Sequence, residues 1–174
     1  MIGRGCNEGK ARYMADWSGF FQAELGAAAA LAGLVIVAIS INVSRILADP
    51  SLPGRAVETL VTPTGVVVAA SYALVPHQPG WLFGAEIAFT GAAMWLVPTV
   101  IHIRALARYG KGAPWRYVLP RVALTQLSSL PFIAAGILVY LGTGGALYWM
   151  VPGVVVSLIA TVINAWVLLV EILR

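Results

Sequence analysis

Charge is what this sequence has least of. Asp, Glu, Lys and Arg make up 10% of its 174 residues, against 60% hydrophobic ones, a balance far from that of a soluble domain. Cysteine is nearly missing as well. Cys6 stands alone, which excludes an intrachain disulfide and any site built from several cysteines. Histidine occurs only at His77 and His102, too sparsely for a zinc centre, so neither a metal site nor a cofactor is expected. The motifs of enzymatic and nucleotide chemistry are absent too: no GxSxG elbow, no HExxH helix, no Walker lysine loop and no GxGxxG after a strand. No catalytic residue is assigned, and the chain is not expected to be an enzyme. The formal charge is +4, but no basic stripe interleaved with aromatics appears, so nucleic acid is not an expected partner. An excess of Lys and Arg is what the cytoplasmic loops of a membrane protein carry.

What the sequence has in abundance is long apolar runs. The first covers 20–47, FFQAELGAAAALAGLVIVAISINVSRIL. It contains no Pro, and at about 1.5 Å per residue it crosses a hydrocarbon core of about 30 Å. The rest of the chain reads as helices packing against it. One stripe, Gly26, Ala30, Gly33, Val37, Ser40 and Ser44, is nearly free of large side chains, and Gly26, Ala30 and Gly33 are the candidate helix-packing face. A second stripe, Glu24, Ala28, Leu31, Val35, Ala38, Asn42 and Arg45, carries the strongly polar groups.

Four further spans follow, at about 53–75, 81–107, 117–141 and 146–173, so the fold class is all-α: an integral membrane bundle of five transmembrane helices. Residues 1–19 read as a polar tail rather than a signal peptide, leaving 20–174 as the transmembrane domain. The connections are short: ADPSLP at 48–53, VPHQPG at 75–80, RYGKGAPWR at 108–116 and GTGG at 142–145. Pro63, Pro98 and Pro131 fall inside spans and are expected to bend them. Each later span also carries a small-or-polar stripe: Glu58, Thr62, Gly65, Ala69 and Tyr72; Glu86, Thr90, Ala93, Val97, Ile101 and Arg104; Gln126, Ser129, Ile133, Gly136 and Tyr140; Ser157, Thr161, Asn164, Leu168 and Glu171.

Eight of the eleven basic residues, Arg45, Arg55, Arg104, Arg108, Lys111, Arg116, Arg121 and Arg174, fall on one side of a five-span topology. That side is expected in the cytoplasm with the C-terminus, and the N-terminus outside. Depth then sorts the acids. Glu58 and Glu171 fall near the inner face among arginines, giving a candidate inner charge cluster of Arg45, Glu58, Arg104, Arg121 and Glu171. Its plain explanation is acids pairing with arginines at helix ends. Glu24 and Glu86 fall about one turn inside the outer face, with no basic residue at that depth in adjacent spans. They form a candidate outer carboxylate site, explained either by interfacial placement or by functional use. His102 reads as a headgroup-level or helix-pairing residue and His77 as an exposed turn residue. Ser128 and Ser129 read as bonding carbonyls freed by Pro131.

Three segments, GAAAALAGLVIVAISINVSRIL, PSLPGRAVETL and LYWMVPGVVVSLIATVINAWVLLVEILR, resemble a largely uncharacterised family of small bacterial inner-membrane proteins. Some of its members carry the automatic label "modulator of FtsH protease". The resemblance runs from Phe20 to Arg174 and departs from the family at Ala32, where members usually carry Thr. It implies a multi-pass protein of the bacterial inner (cytoplasmic) membrane and assigns no functional residue. Two function classes follow. The first is a non-enzymatic regulatory or scaffolding partner of other membrane proteins. The alternative is a small homo-oligomeric ion channel or transporter with a polar bundle interior. The expected partners are the lipid bilayer and either a second copy of the chain or another membrane protein.

Overall fold

The structure is a computed structural model that describes the backbone of residues 3–50, 52–109 and 115–173, and the side chains of 17–50, 52–107, 119–167 and 169–170. Helix α1 is Gly3–Ile41, α2 Val43–Ala48, α3 Leu52–Ala73, α4 Gly80–Tyr109, α5 Trp115–Tyr140 and α6 Met150–Leu173, with a 3-10 turn at Ala146–Trp149 before α6. No strand occurs among the described residues. Five helices are long and apolar enough to cross a membrane: Trp17–Ile41, Leu52–Ala73, Gly80–Ala107, Leu119–Tyr140 and Ala146–Val167.

Two boundaries differ from expectation. Residues 3–19 of the stretch read as a tail belong to the first helix, α1 running from Gly3 to Ile41. No proline interrupts it there, and extending a formed helix is far easier than starting one. At its other end the helix expected to reach 47 breaks at Asn42 and resumes as α2. Asn42 donates its side-chain N–H to the carbonyl of Ala38 at 2.9 Å. Its own backbone N–H bonds Ile39 three residues back, not four. A short amide side chain competing with the helix ladder in this way loosens it. The short α2 then turns Ile46 inward against Leu52 and Ala56.

The hub of the bundle is α3, not the first helix. Of its most apolar stretch 50% is buried, against 11% for α1. Helix α3 packs on α1, α4 and α6; α4 packs on α5, and α5 on α6. Helices α3, α4, α5 and α6 therefore close a ring, and α1 lies outside it against α3 and α6. The α3 stripe read from the sequence does face inward: Glu58, Thr62, Gly65 and Ala69 are buried. The core between the helices is built from Phe21, Ala28, Val66, Ala69, Ile87, Met94, Phe132, Met150 and Val154. The helices run unbroken through Pro63, Pro98 and Pro131.

The candidate packing face on α1 is not used inside the bundle. Gly26, Ala30 and Gly33 are exposed, and a methyl added to Gly26 or Gly33 would meet nothing within 4 Å. The buried face is the second stripe, with Ala28 and Val35 buried and Glu24, Leu31, Ala38 and Asn42 half-buried. Glu24 and Gly33 lie nine residues, or about two and a half turns, apart, so they occupy opposite faces. Burying the polar stripe turned the glycines outward.

The close approach that small residues permit occurs instead between α4 and α5. A Cβ on Gly91 would lie 2.7 Å from the backbone nitrogen of Ile133, and one on Gly84 2.8 Å from the carbonyl oxygen of Gly136. A Cβ on Gly136 would overlap the backbone of Ala88. Gly84, Ala88 and Gly91 follow the four-then-three spacing of a small-residue ridge, which lets two backbones touch where lipid supplies no drive for association.

At the end of the bundle where α1 enters its span, Trp17 meets Tyr148 edge-on at 5.0 Å and stacks on Phe21 at 5.8 Å. Edge and offset contacts of this kind are the favoured aromatic geometries. They tie α1 to the 3-10 turn that leads into α6.

Candidate functional site

The most polar point of the interior lies near the opposite end, where α3 and α5 begin and α4 ends. Helix α3 supplies Glu58, α4 supplies His102 and α5 supplies Arg121 and Thr125. Glu58 is 2% exposed and His102 5%. An ionised carboxylate at that burial would be costly unless paired and hydrogen-bonded, and here it is both. Nε of Arg121 donates to Oε2 of Glu58 at 2.7 Å, and a second guanidinium N–H donates to the same oxygen. Oε1 lies 3.0 Å from Nε2 of His102 and 3.2 Å from the hydroxyl of Thr125.

Four groups thus crosslink three helices through one side chain. The arginine fork matches an ionised carboxylate, which only accepts. Nε2 of His102 then carries the proton that faces Oε1, and its other ring nitrogen is a bare acceptor in the neutral ring. That nitrogen, Nδ1, is buried with no hydrogen-bond partner among the described residues. The Thr125 hydroxyl has a second acceptor within reach, the carbonyl of Arg121 at 3.1 Å, and its single proton serves one of the two at a time.

A seam of hydroxyls leads from this cluster toward α6. Ser128 and Ser129 both donate to the carbonyl of Thr125, at 2.9 and 2.8 Å. Ser157 on α6 donates to the carbonyl of Ser128 at 3.5 Å, and Thr161 to that of Ser157 at 2.8 Å. The serines do bond locally, as expected. Their acceptor is the carbonyl of Thr125, not that of Leu127, which Pro131 leaves without its usual donor.

Of the expected inner cluster, Glu58 and Arg121 come together, while Arg45 and Arg104 are exposed outside it. The reason for Arg104 is helical phase. It lies two residues past His102, which rotates it about 200° from the buried face. The side chain of Glu171 lies outside the described residues. His102 acts as a helix-pairing residue, one of the two roles its position allowed. Its part in the cluster was legible from the register of α4. Gly84, Ile87, Gly91, Met94, Pro98 and His102, all buried, are spaced by three or four residues. Thr125 carried no such signal, because α5 is apolar on most sides.

The outer carboxylates behave differently from each other. Glu86 accepts a hydrogen bond from the side-chain amide of Gln78, in the turn before α4. Oε1 of that same Gln78 is buried without a partner among the described residues, and so is Oε2 of Glu24. Glu24 stands on α1, which packs on α3 and α6, and Glu86 on α4, which packs on α3 and α5. His77 sits exposed in the same turn with φ 59°, the left-handed conformation.

Among the described residues no three of His, Cys, Asp and Glu come together in a group that could hold a metal ion, and Arg121 takes one of the two carboxylate oxygens of Glu58. The chain matches no protein-family model, no curated protein and no solved structure.

Proposed function

We propose that this chain is a non-enzymatic membrane protein that acts as a regulatory or scaffolding partner, offering α1 to a helix of another membrane protein. The observation that carries the reading is the outward stripe of Gly26, Ala30 and Gly33, with open space beside both glycines. Small residues on a lipid-facing surface allow a second backbone to come close. Within the bundle Glu58, the most buried carboxylate among the described residues, already meets a cation of this chain, Arg121. The resemblance to small bacterial inner-membrane proteins, some labelled as modulators of a membrane protease, supports the same reading and a location in that membrane.

A photocrosslinking residue at Ala30 in native membranes tests it. A discrete protein adduct that Gly33→Leu abolishes, with the bundle still folded, is the expected outcome. Adducts to lipid alone would reject the reading, and an adduct of twice the chain's mass would make the partner a second copy. The charge asymmetry of the sequence supports an N-out, C-in orientation. In intact cells Cys6 then reacts with a membrane-impermeant maleimide, and labelling only after the membrane is opened would reverse the topology.

The alternative, a homo-oligomeric ion channel or transporter, draws its support from the unpartnered polar atoms. Ionisable groups inside membrane spans mark ion and proton paths, and the interior here holds a bare His102 nitrogen and a bare Glu24 oxygen. Ion flux in proteoliposomes that disappears with Glu24→Gln, Glu86→Gln or His102→Gln would favour it over the scaffolding reading.

A further inference from the structure

Between α3 and α4, on the side of the ring facing away from α5 and α6, lies an apolar groove of about 390 Å³. Its α3 wall runs from Val57 past Thr64 to Tyr72, and its α4 wall is formed by Phe89, Ala93 and Val97. Fifteen residues of helix separate Val57 from Tyr72, so the groove extends about 22 Å along the bundle. The whole of that length lies within the membrane-spanning part of both helices. Phe89 is 76% exposed and Val57 46%, so the groove is open to its surroundings.

Beyond one end of the groove α4 carries a charge, Arg104. Ala93, Val97, Ile101 and Arg104 share a face of α4, spaced by four, four and three residues. Ile101 is turned toward α3, where a Cβ on Gly54 would lie 3.0 Å from its side chain. Arg104 follows Val97 after seven residues, which is the same phase and about 10 Å further along the axis. It is exposed and makes no ion pair among the described residues. A long apolar trough with a cation beyond its end that makes no ion pair among the described residues is complementary to an amphiphile with one long chain and one anionic head.

We propose that the α3/α4 groove binds an anionic phospholipid, with an acyl chain lying between Val57 and Tyr72 and the phosphate held by Arg104. The occupant comes from the bilayer in which the helices sit. The proposal does not depend on α1 having a protein partner. The test uses the full chain in detergent, with native mass spectrometry reading retained lipid. Phosphatidylglycerol and phosphatidylcholine with identical chains are the probes.

The wild type should retain phosphatidylglycerol about fivefold more tightly than phosphatidylcholine, as expected for one cation near a headgroup. Arg104→Gln should remove the preference while leaving chain binding in place. Ala93→Trp should fill the trough and weaken both lipids. Phe89→Ala opens one wall without adding bulk and should also weaken both, which covers the case of an unstable tryptophan variant. Equal retention of the two lipids by the wild type would overturn the proposal. So would binding unaffected by both groove variants. A change in oligomeric mass with Ala93→Trp would assign the groove to a protein interface instead.

Discussion

Two stretches of this chain carry nearly the same pattern of small residues and meet opposite fates. On α1, Gly26, Ala30 and Gly33 face outward into open space. On α4, Gly84, Ala88 and Gly91 press against the backbone of α5. Smallness does not separate them, and the position of the polar residues does. On α4, Gly84, Gly91 and His102 lie in phase, since 11 and 18 residues are close to whole numbers of turns. Placing His102 against Glu58 therefore brings the glycines into the seam. On α1, Glu24 and Asn42 each lie nine residues from Gly33, half a turn out of phase. In a medium where a stray polar group is costly, polar residues choose the buried face and small residues follow or are left outside.

The sharpest way to break this comparison is to remove the polar anchor. Arg121→Ala leaves the Glu58 carboxylate buried without its cation, and thermal unfolding in detergent should show a loss of about 3–5 kcal/mol. The double variant Glu58→Gln/Arg121→Met removes both charges and should lose less than Arg121→Ala alone. A mild effect of Arg121→Ala would mean that the cluster does not hold α3 to α5. Next in size is the seam itself. Gly136→Ala places a methyl into the backbone of Ala88 and should cost about 1–3 kcal/mol by overpacking. Thr125→Val keeps the shape but deletes a hydrogen bond to the carboxylate, with an expected loss of about 1 kcal/mol. The smallest effect belongs to Gly33→Leu. With no neighbour to displace, it should stay within about 0.5 kcal/mol of the wild type. Gly33→Leu melting as early as Gly136→Ala would show that α1 is packed where the structure leaves it open.

The five spans and the inward stripe of α3 were legible in the sequence, because long apolar runs and in-phase polar residues record the solvent each face meets. Pairing Glu58 with Arg121 was legible at the level of depth. What was not legible is which helix sits at the centre. The 20–47 run is long, apolar and free of proline, and apolarity marks lipid contact as readily as core contact in a membrane protein. It therefore pointed to α1, while the half-polar α3 became the hub. The role of Thr125 was hidden for a related reason: a lone threonine in an apolar helix looks the same whether it bonds its own backbone or a carboxylate on another helix. Glu24 and Glu86 were legible as polar groups below one end, but their different surroundings come from Gln78, whose reach depends on the turn.

The Glu58 cluster also sets an order of events. Its carboxylate is made before His102, which lies 44 residues downstream, and before Arg121, which lies 63 downstream. At about 5–20 residues per second, the second span waits several seconds for its cation. A ribosome stalled between α3 and α5 presents the bilayer with an acid whose partner in the finished fold, Arg121, has not been made. Biogenesis of this protein thus has a natural checkpoint: an incomplete chain stays chemically distinguishable from a finished one until its fourth span is inserted.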